Sequence, residues 1–421
     1  MFFKKKKKNE EMVEQPLNYW EELSFVIVPY KDDTVDKDTL IKRLKKHNIN
    51  VVGFAESSLE KPGRIVYKYN GKSYEINYFE EDFKLPNLYE YQAKQFSKEE
   101  LEDLKECNKA ITFCLEMTDN FIDEYKMQLK IACSVLDKTY AIIDESSETI
   151  MHPKKANWLA NSKSLLSSKN LYSIQAITDE GKVWLHTHGL NRFGIPDLEV
   201  LNSNEENYSY HHTLINTLAD TLIHRGVSED NKYFIGFISE TIPLHISLIS
   251  WADALNNYYT DIDLGGPLDR QEEHNSNYKV IFTYDGDESL DNNNVSKLEI
   301  YDGLWDEERL FFITTEETSR MKTVAQENFD YLKKYFIPEK ENAIVKIGFK
   351  TDNSDDYEHM WFKLLKINDD DTFEAELTSE PYEVSSIKKG DKGLYNKSQI
   401  TDWMLYVEGV SYIPDDVYKL D

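Results

Sequence analysis

Short strand-type runs separated by turn residues are the feature that most constrains the fold of this chain. Asn70 and Gly71 divide two such runs, 64–69 and 72–78, in the pattern typical of a type I′ hairpin turn. Strands joined by so short a turn pair antiparallel. Further apolar runs of strand length, rich in β-branched and aromatic residues, cover residues 24–30, 49–54, 110–115, 140–143, 171–177, 182–188 and 233–238.

Helical patterns occur between these strands. Ser97 and Glu100 form a capping-box pattern at the start of a predicted helix. Leu214, Leu218 and Leu222 repeat on one side of a predicted helix over 208–225, and Gly226 is placed to end it. Other helices are predicted over 36–47, 120–136 and 316–335. We therefore predict an α+β fold, with two mixed α/β domains containing antiparallel-rich sheets, followed by a small, mainly-β C-terminal module.

A chain of 421 residues is long for a single hydrophobic core and suits two or three domains. We predict a disordered Lys-rich leader over 1–20, an N-terminal domain over 21–150, a central domain over 151–337 and the C-terminal module over 338–421. A polar stretch at 338–342 sets the last boundary. The segment 261–294 is rich in Asp, Asn, Gly and Glu, which predicts surface loops around an edge strand at 278–284.

The charge balance restricts the partners. The chain has 49 Lys and Arg residues against 77 Asp and Glu, a net charge of −28, which repels nucleic acid and anionic membranes. We therefore expect a protein partner, for which a basic surface is suitable, and no nucleic acid. No apolar run is long enough for a membrane span, and the lysines from Lys4 to Lys8 are expected to be solvated. Three cysteines in apolar surroundings predict no disulfide framework and a cytoplasmic location.

Two histidines at strand spacing are the main chemical candidates. On a strand, Trp184, His186 and His188 share one face, because side chains alternate with period two. Two imidazoles on one face can hold a metal if one or two further ligands converge with them, and they can equally belong to a core. The candidate further ligands are Glu199, His211 and His212. We expect no cofactor, and zinc is the metal that such a converging set would hold.

A metal-dependent hydrolase centred on His186 and His188 is the alternative function. Its closest template is the deubiquitinase-like metalloprotease signature, in which His-x-His is followed after seven residues by Ser-x-x-Asp. Pro196 stands here at the Ser position and Glu199 at the Asp position. Glu can bind zinc, but Pro has no hydroxyl to stabilise an oxyanion. The general base would be one of three upstream residues, Glu145, Glu148 or Glu180.

Several segments carry a resemblance to known families. The stretches 358–361, 373–381, 390–391 and 400–404, read in this order, resemble the bacterial domain-of-unknown-function family numbered 2314. The Lys-rich start and the stretch 184–194 resemble the family numbered 4026. Together the two resemblances span nearly the whole chain. Neither family implies a particular activity.

The order of elements in the first two thirds, with the stretch 140–146, is similar to suppressor-of-fused-type adaptor and toxin-immunity domains. These act by binding another protein, so the resemblance implies a non-catalytic adaptor or immunity-like protein. Arg192 could then bind a partner's carboxylate. In the C-terminal module, a polar rim around a peptide-sized groove could be formed by Glu358, His359, Trp361, Asp402 and Trp403. The two tryptophans are equally interpreted as core anchors.

Overall fold

The computed structural model describes residues 22–30, 34–58, 61–116, 121–136, 138–239, 241–270, 278–305 and 310–420. The predicted leader, with Lys4 to Lys8, lies outside these residues. The chain divides into two compact units. Unit 1 comprises the described parts of 1–125, 135–151 and 168–314, and unit 2 comprises 126–134, 152–167 and the described part of 315–421. Among the described helices, none has the length and apolar character to cross a membrane.

The first sheet of unit 1 has seven strands, all paired antiparallel, in the order β2-β3-β4-β5-β1-β6-β7. Asn70 and Gly71 both have positive φ, as the predicted type I′ hairpin requires. The strands are β1 (Glu22–Pro29), β2 (Asn50–Ala55), β3 (Gly63–Tyr69), β4 (Lys72–Asp82), β5 (Lys109–Glu116), β6 (Thr139–Asp144) and β7 (Thr149–Met151).

Five α-helices lie in the described part of residues 22–161, and unit 2 includes the fifth and most of the fourth. The predicted capping box is present, since the Ser97 hydroxyl accepts from the Glu100 amide while the Glu100 carboxylate accepts from the Ser97 amide. The helices are α1 (Lys37–Lys46), α2 (Asn87–Gln92), α3 (Lys98–Lys105), α4 (Phe121–Val135) and α5 (Pro153–Asn161).

The second sheet of unit 1 has the order β15-β11-β12-β13-β10-β9-β8, with β14 paired to β13. Its strands are β8 (Ser173–Asp179), β9 (Lys182–His188), β10 (Leu198–Asn204), β11 (Tyr233–Ser239), β12 (Ile242–Ser250), β13 (Lys279–Tyr284), β14 (Val295–Lys297) and β15 (Leu310–Phe311). The prediction of an edge strand at 278–284 is wrong, because β13 lies inside the sheet between β12 and β10 and pairs parallel with β10. Its run of apolar residues is buried on both faces.

Three helices accompany the second sheet: α6 (Tyr208–Arg225), α7 (Trp251–Asn257) and α8 (Gly286–Asp291). The prediction for α6 is confirmed at both ends. Its buried face includes Leu214, Leu218 and Leu222, and Gly226 ends it with a positive φ of 76°.

Unit 2 contains the third sheet, which is entirely antiparallel and has the order β19-β18-β17-β16-β20-β21. Two helices precede it in the chain, α9 (Thr315–Glu327) and α10 (Phe329–Tyr335). The helix predicted over 316–335 is thus broken at Asn328. The strands are β16 (Ala343–Lys350), β17 (Tyr357–Ile367), β18 (Thr372–Leu377), β19 (Lys392–Asn396), β20 (Ile400–Val407) and β21 (Val410–Tyr412).

The α+β class, with antiparallel-rich sheets and a β-rich C-terminal module, is confirmed. The division into units differs from the predicted boundaries at 150/151 and 337/338. The first two sheets belong to one unit, and residues 315–337 belong with the third sheet. Residues 315–337 belong with the third sheet because Ala325, Phe329 and Leu332 lie in the same core as Val345 and Phe362. A helix that completes a sheet's core belongs to that folding unit.

A buried ion pair joins the first two sheets within unit 1. Arg192 lies in the turn after β9, and its Nη1 donates to both carboxylate oxygens of Asp144, at the end of β6, at 2.9 Å each. Both side chains are fully buried. The guanidinium also donates to the Leu171 carbonyl and lies 4.8 Å from the Tyr125 ring centroid. The Tyr125 hydroxyl donates to the same carboxylate at 3.1 Å.

We predict that Arg192→Met lowers the free energy of unfolding by about 3–5 kcal/mol, because it leaves the Asp144 carboxylate buried without its cation. Urea denaturation measures the change. Adding Asp144→Asn removes the isolated charge and keeps an acceptor for Tyr125, so the double variant should be more stable than Arg192→Met alone. A single variant within about 1 kcal/mol of the native protein would contradict this account.

Candidate functional site

The His-Thr-His segment lies on β9, in the interior of the second sheet. Trp184, His186 and His188 share one side of the strand as predicted, with ring centroids 4.2 Å apart for the first pair and 4.9 Å for the second. The strand is buried on both sides from Val183 to His188. The two imidazoles therefore belong to a dense interior layer and do not face solvent.

Glu199 lies on β10 directly opposite His186, but its carboxylate is engaged elsewhere. Oε2 accepts from the Trp184 indole at 2.9 Å and from the Arg270 guanidinium at 2.7 Å. Arg270 in turn lies over aromatic rings, with its guanidinium 4.8 Å from the Trp251 centroid. Its Nε donates to the Gly265 carbonyl at 3.1 Å, so this buried cation is held by one carboxylate, one backbone carbonyl and ring faces.

His188 has different neighbours. Its Nδ1 lies 3.3 Å from the Tyr278 hydroxyl and 3.3 Å from a carboxylate oxygen of Glu148. The other Glu148 oxygen accepts from the Gln175 side chain at 2.5 Å. Of the three residues proposed as general base, Glu148 is thus the one beside the histidines.

The remaining predicted ligands lie on α6. His211 is buried, with Nδ1 2.7 Å from the Ser203 hydroxyl, and burial lowers its pKa to about 4, so the ring is neutral at neutral pH. His212 is half-buried and contacts Asn216 through Nδ1 at 3.1 Å. Burial, aided by Lys169, lowers the pKa of His212.

A zinc site requires convergence of at least three ligands. Within the described ranges, no group of three or more His, Cys, Asp or Glu side chains is placed to hold a metal ion. The Arg270 guanidinium beside Glu199 also opposes a second cation at that carboxylate. The convergence that a metal site would need is therefore not found in this part of the chain, and the expectation that the protein binds no cofactor stays a prediction.

We expect purified protein to carry no stoichiometric zinc. Elemental analysis by inductively coupled plasma mass spectrometry measures this directly. The decisive comparison is a His186→Ala, His188→Ala double variant. If the native protein contains stoichiometric zinc and the variant does not, that result would support a metal site at these histidines and, with it, the hydrolase alternative.

Asp197, which the sequence analysis did not single out, is a buried carboxyl between the His-Thr-His strand and β10. Its Oδ1 accepts from the Thr187 hydroxyl at 2.8 Å and from the Leu190 amide at 3.1 Å. Burial raises its pKa to about 7, and these hydrogen bonds oppose the shift. The carboxyl is therefore partly protonated near neutral pH.

This raised pKa predicts a pH dependence of stability. Between about pH 4 and 7, the folded state retains a proton that the unfolded chain releases, so this group's contribution to stability falls as pH rises. Asp197→Asn keeps an acceptor oxygen and removes the titration. Compared with the variant, the native protein should lose up to about 1.4 kcal/mol per pH unit across that window. If the free energy of unfolding changes equally with pH in the two proteins from pH 4 to 8, the raised pKa of Asp197 is contradicted.

The structure separates the predicted binding residues. Arg192 is buried in the ion pair described above, where a partner does not reach it. Trp403 on β20 is fully buried in the core of unit 2, and its indole donates to the Ala325 carbonyl at 3.0 Å. Trp361 on β17 alternates with the core residues Met360 and Phe362, so it lies on the opposite face of the sheet. The two tryptophans therefore cannot line one groove.

The polar members of that set are also divided. Glu358 accepts from the amides of Tyr382 and Glu383 at 2.9 Å each, which is a structural role in a loop. The exposed His359 has Nδ1 3.1 Å from the Thr401 hydroxyl. Burial raises the pKa of Asp402 to about 6.

An exposed cluster of aromatic rings, which the sequence analysis missed, lies at the β15 end of the second sheet. It consists of Phe234 and Phe237 on β11 and Phe312 just after β15, and we call these three residues the aromatic patch. Phe234 is 45% exposed and Phe312 is 40% exposed. Ring centroids lie 5.4 Å apart for Phe234 and Phe237, and 5.0 Å apart for Phe234 and Phe312.

Local backbone geometry assembles the aromatic patch. An irregular register between Phe234 and Gly236 brings two phenylalanines three residues apart into contact. Gly236 has a φ of 150°, and a Cβ there would lie 2.0 Å from the Leu310 carbonyl oxygen. Glycine thus allows β15 to approach and places Phe312 beside Phe234. Two further exposed residues, Leu310 and Ile313, extend the apolar surface along this terminal strand.

Three family models together match most of the chain. The model described as "Protein of unknown function (DUF4026) N-terminal" matches residues 24–166, and its C-terminal counterpart matches 174–282. Residues 316–413 match the "Uncharacterized protein conserved in bacteria (DUF2314)" model. The chain is a DUF4026 family protein with a C-terminal DUF2314 module. The DUF2314 match begins within α9, the helix that supplies Ala325 to the core of unit 2. The β11 part of the aromatic patch belongs to the DUF4026 C-terminal domain.

Two further comparisons returned no relatives. No curated protein matches the chain, and no solved structure matches it.

Proposed function

We propose that this protein is a non-catalytic binding protein that recognises another protein through the aromatic patch. The observation that carries the proposal is the contact between three partly exposed phenylalanine rings at the end of a sheet. Single exposed apolar residues are ordinary on protein surfaces. A contiguous apolar surface is more often an interaction site.

Aromatic rings are effective interface anchors because each removes a large apolar area from water with few rotamers to restrict. The terminal strand adds a second feature. β15 pairs with β11 on one side and is the last strand of the described sheet order, so its outer edge offers backbone groups for an added strand. A partner could therefore combine main-chain pairing with ring contacts.

The overall charge supports a protein partner with a basic surface. A net charge of −28 accelerates encounter with a basic surface and disfavours nucleic acid. None of the three cysteines, all of which are described, forms a disulfide, which suits a reducing cytoplasm. Adaptor or immunity-like action by stoichiometric binding is consistent with these features.

We predict that Phe234→Ser combined with Phe312→Ser removes partner binding and leaves folding intact, because both side chains are partly solvated in the native protein. Affinity capture from a native bacterial lysate, with quantitative mass spectrometry, compares this variant with the native protein. The matched control is Tyr382→Ser, which removes a 96% exposed aromatic ring in unit 2.

Proteins enriched on the native bait and on the control, but depleted at least tenfold on the double variant, would support the proposal. Equal recovery on all three baits, or no specific enrichment on the native bait, would refute it. Circular dichroism and a thermal unfolding curve establish that the double variant is folded.

A further inference from the structure

A cavity of about 400 Å³ opens beside the aromatic patch. The β12 strand, the chain around α8 and the segment after β14 form its walls. Most of the wall is apolar, and its aliphatic and proline members are Ile242, Pro243, Leu290, Ile300 and Leu304. Ile300 and Leu304 are partly exposed, at 38% and 48%, so the cavity is open to solvent.

His245 makes the cavity continuous with the aromatic patch. It lines the cavity, and its ring stacks on Phe234 with centroids 4.8 Å apart and planes at 22°. On the neighbouring strand, Pro243 is the cross-strand partner of Phe237. The patch and the cavity thus form one surface that crosses from β15 to β12.

The charge at the cavity is negative. Asp285 and Asp287 line it and are exposed, and neither forms an ion pair with another described residue. No lysine or arginine is among its described lining residues. The neighbouring Lys232 is already held, since its Nζ donates to the Leu290 carbonyl at 2.6 Å and lies 5.7 Å from the Tyr284 ring centroid.

A structural role for the two carboxylates does not account for the whole arrangement. Asp285 and Asp287 lie at the first turn of α8, where negative charge stabilises a helix. Helix stabilisation needs no cavity, and it does not require an apolar wall beside the carboxylates. An apolar channel that ends in carboxylates is complementary to a side chain with an aliphatic stem and a cationic head.

We propose that this cavity takes a lysine or arginine side chain of the partner protein, while neighbouring apolar residues of the same segment rest on the aromatic patch. The inference rests on the proposed function and narrows it to a segment that is both basic and apolar. The stem would contact the aliphatic wall, and the cation would lie against Asp285 and Asp287. Charge complementarity thus selects a cationic side chain for the cavity.

The spacing suits an extended segment. Along this surface the ring centroids of Phe312 and Phe234 lie 5.0 Å apart, and those of Phe234 and His245, at the edge of the cavity, lie 4.8 Å apart. An extended chain covers this length in about three residues, since a strand rises about 3.3 Å per residue. Alternate side chains of the segment would point to the same face, so apolar residues and the cation should occur at every second position.

Two fluorescein-labelled peptides test the inference. The first has the sequence Ser-Phe-Ser-Phe-Ser-Arg-Ser, and the second has citrulline, a neutral isostere, in place of Arg. Fluorescence polarisation measures their affinity for the native protein, for Asp285→Asn with Asp287→Asn, and for Phe234→Ser with Phe312→Ser. Glu205→Gln with Glu206→Gln is the matched control, because it removes two exposed carboxylates elsewhere in unit 1.

We expect the arginine peptide to bind the native protein and the control at least tenfold more tightly than the citrulline peptide. The aspartate variant should bind both peptides equally. If both peptides bind the native protein equally and neither binds the phenylalanine variant, the inference of a cationic side chain in the cavity is overturned. The proposed function is not affected by that result. Absence of binding by both peptides would also overturn the inference, whereas the proposed function is judged by the capture experiment alone.

Discussion

The ion pair between Arg192 and Asp144 is the interaction on which the organisation of unit 1 depends. It connects the turn after β9 in the second sheet with the end of β6 in the first, and both side chains are excluded from water. A charge in such a place is tolerated only when an oppositely charged partner and hydrogen bonds compensate for its lost hydration. The position of the His-Thr-His strand relative to the first sheet therefore depends on this contact.

The same constraint applies to other buried polar residues of unit 1. Glu199 is buried with Arg270, Asp197 is hydrogen-bonded by Thr187, and His188 lies against Glu148. In each of these contacts one buried polar or charged group serves as the partner of another. Residues that suggested catalysis from their chemistry thus form an interior network, and that network leaves no described set of three converging metal ligands.

The surface at the β15 end of the second sheet differs from this interior, because aromatic rings are exposed there whereas charged residues are buried inside. Much of the fold was predictable from local pattern: the Asn70-Gly71 hairpin, the Ser97 capping box and the extent of α6 all follow from near neighbours in the chain. The aromatic patch was not. The run 233–238 has the composition of a buried strand, and the contact of Phe234 with Phe312 depends on β15, a distant segment of the chain.

Local residue patterns are enough to specify the class of fold, the turns and caps, the acidic composition and the shared face of Trp184, His186 and His188. These properties depend on residue spacing and composition within a few turns or strands. The three-dimensional packing is what buries His186, pairs Arg192 with Asp144, places Trp361 and Trp403 on opposite faces of their sheet and brings Phe312 to Phe234. Burial and partner choice depend on which distant segments meet, and no local pattern specifies that.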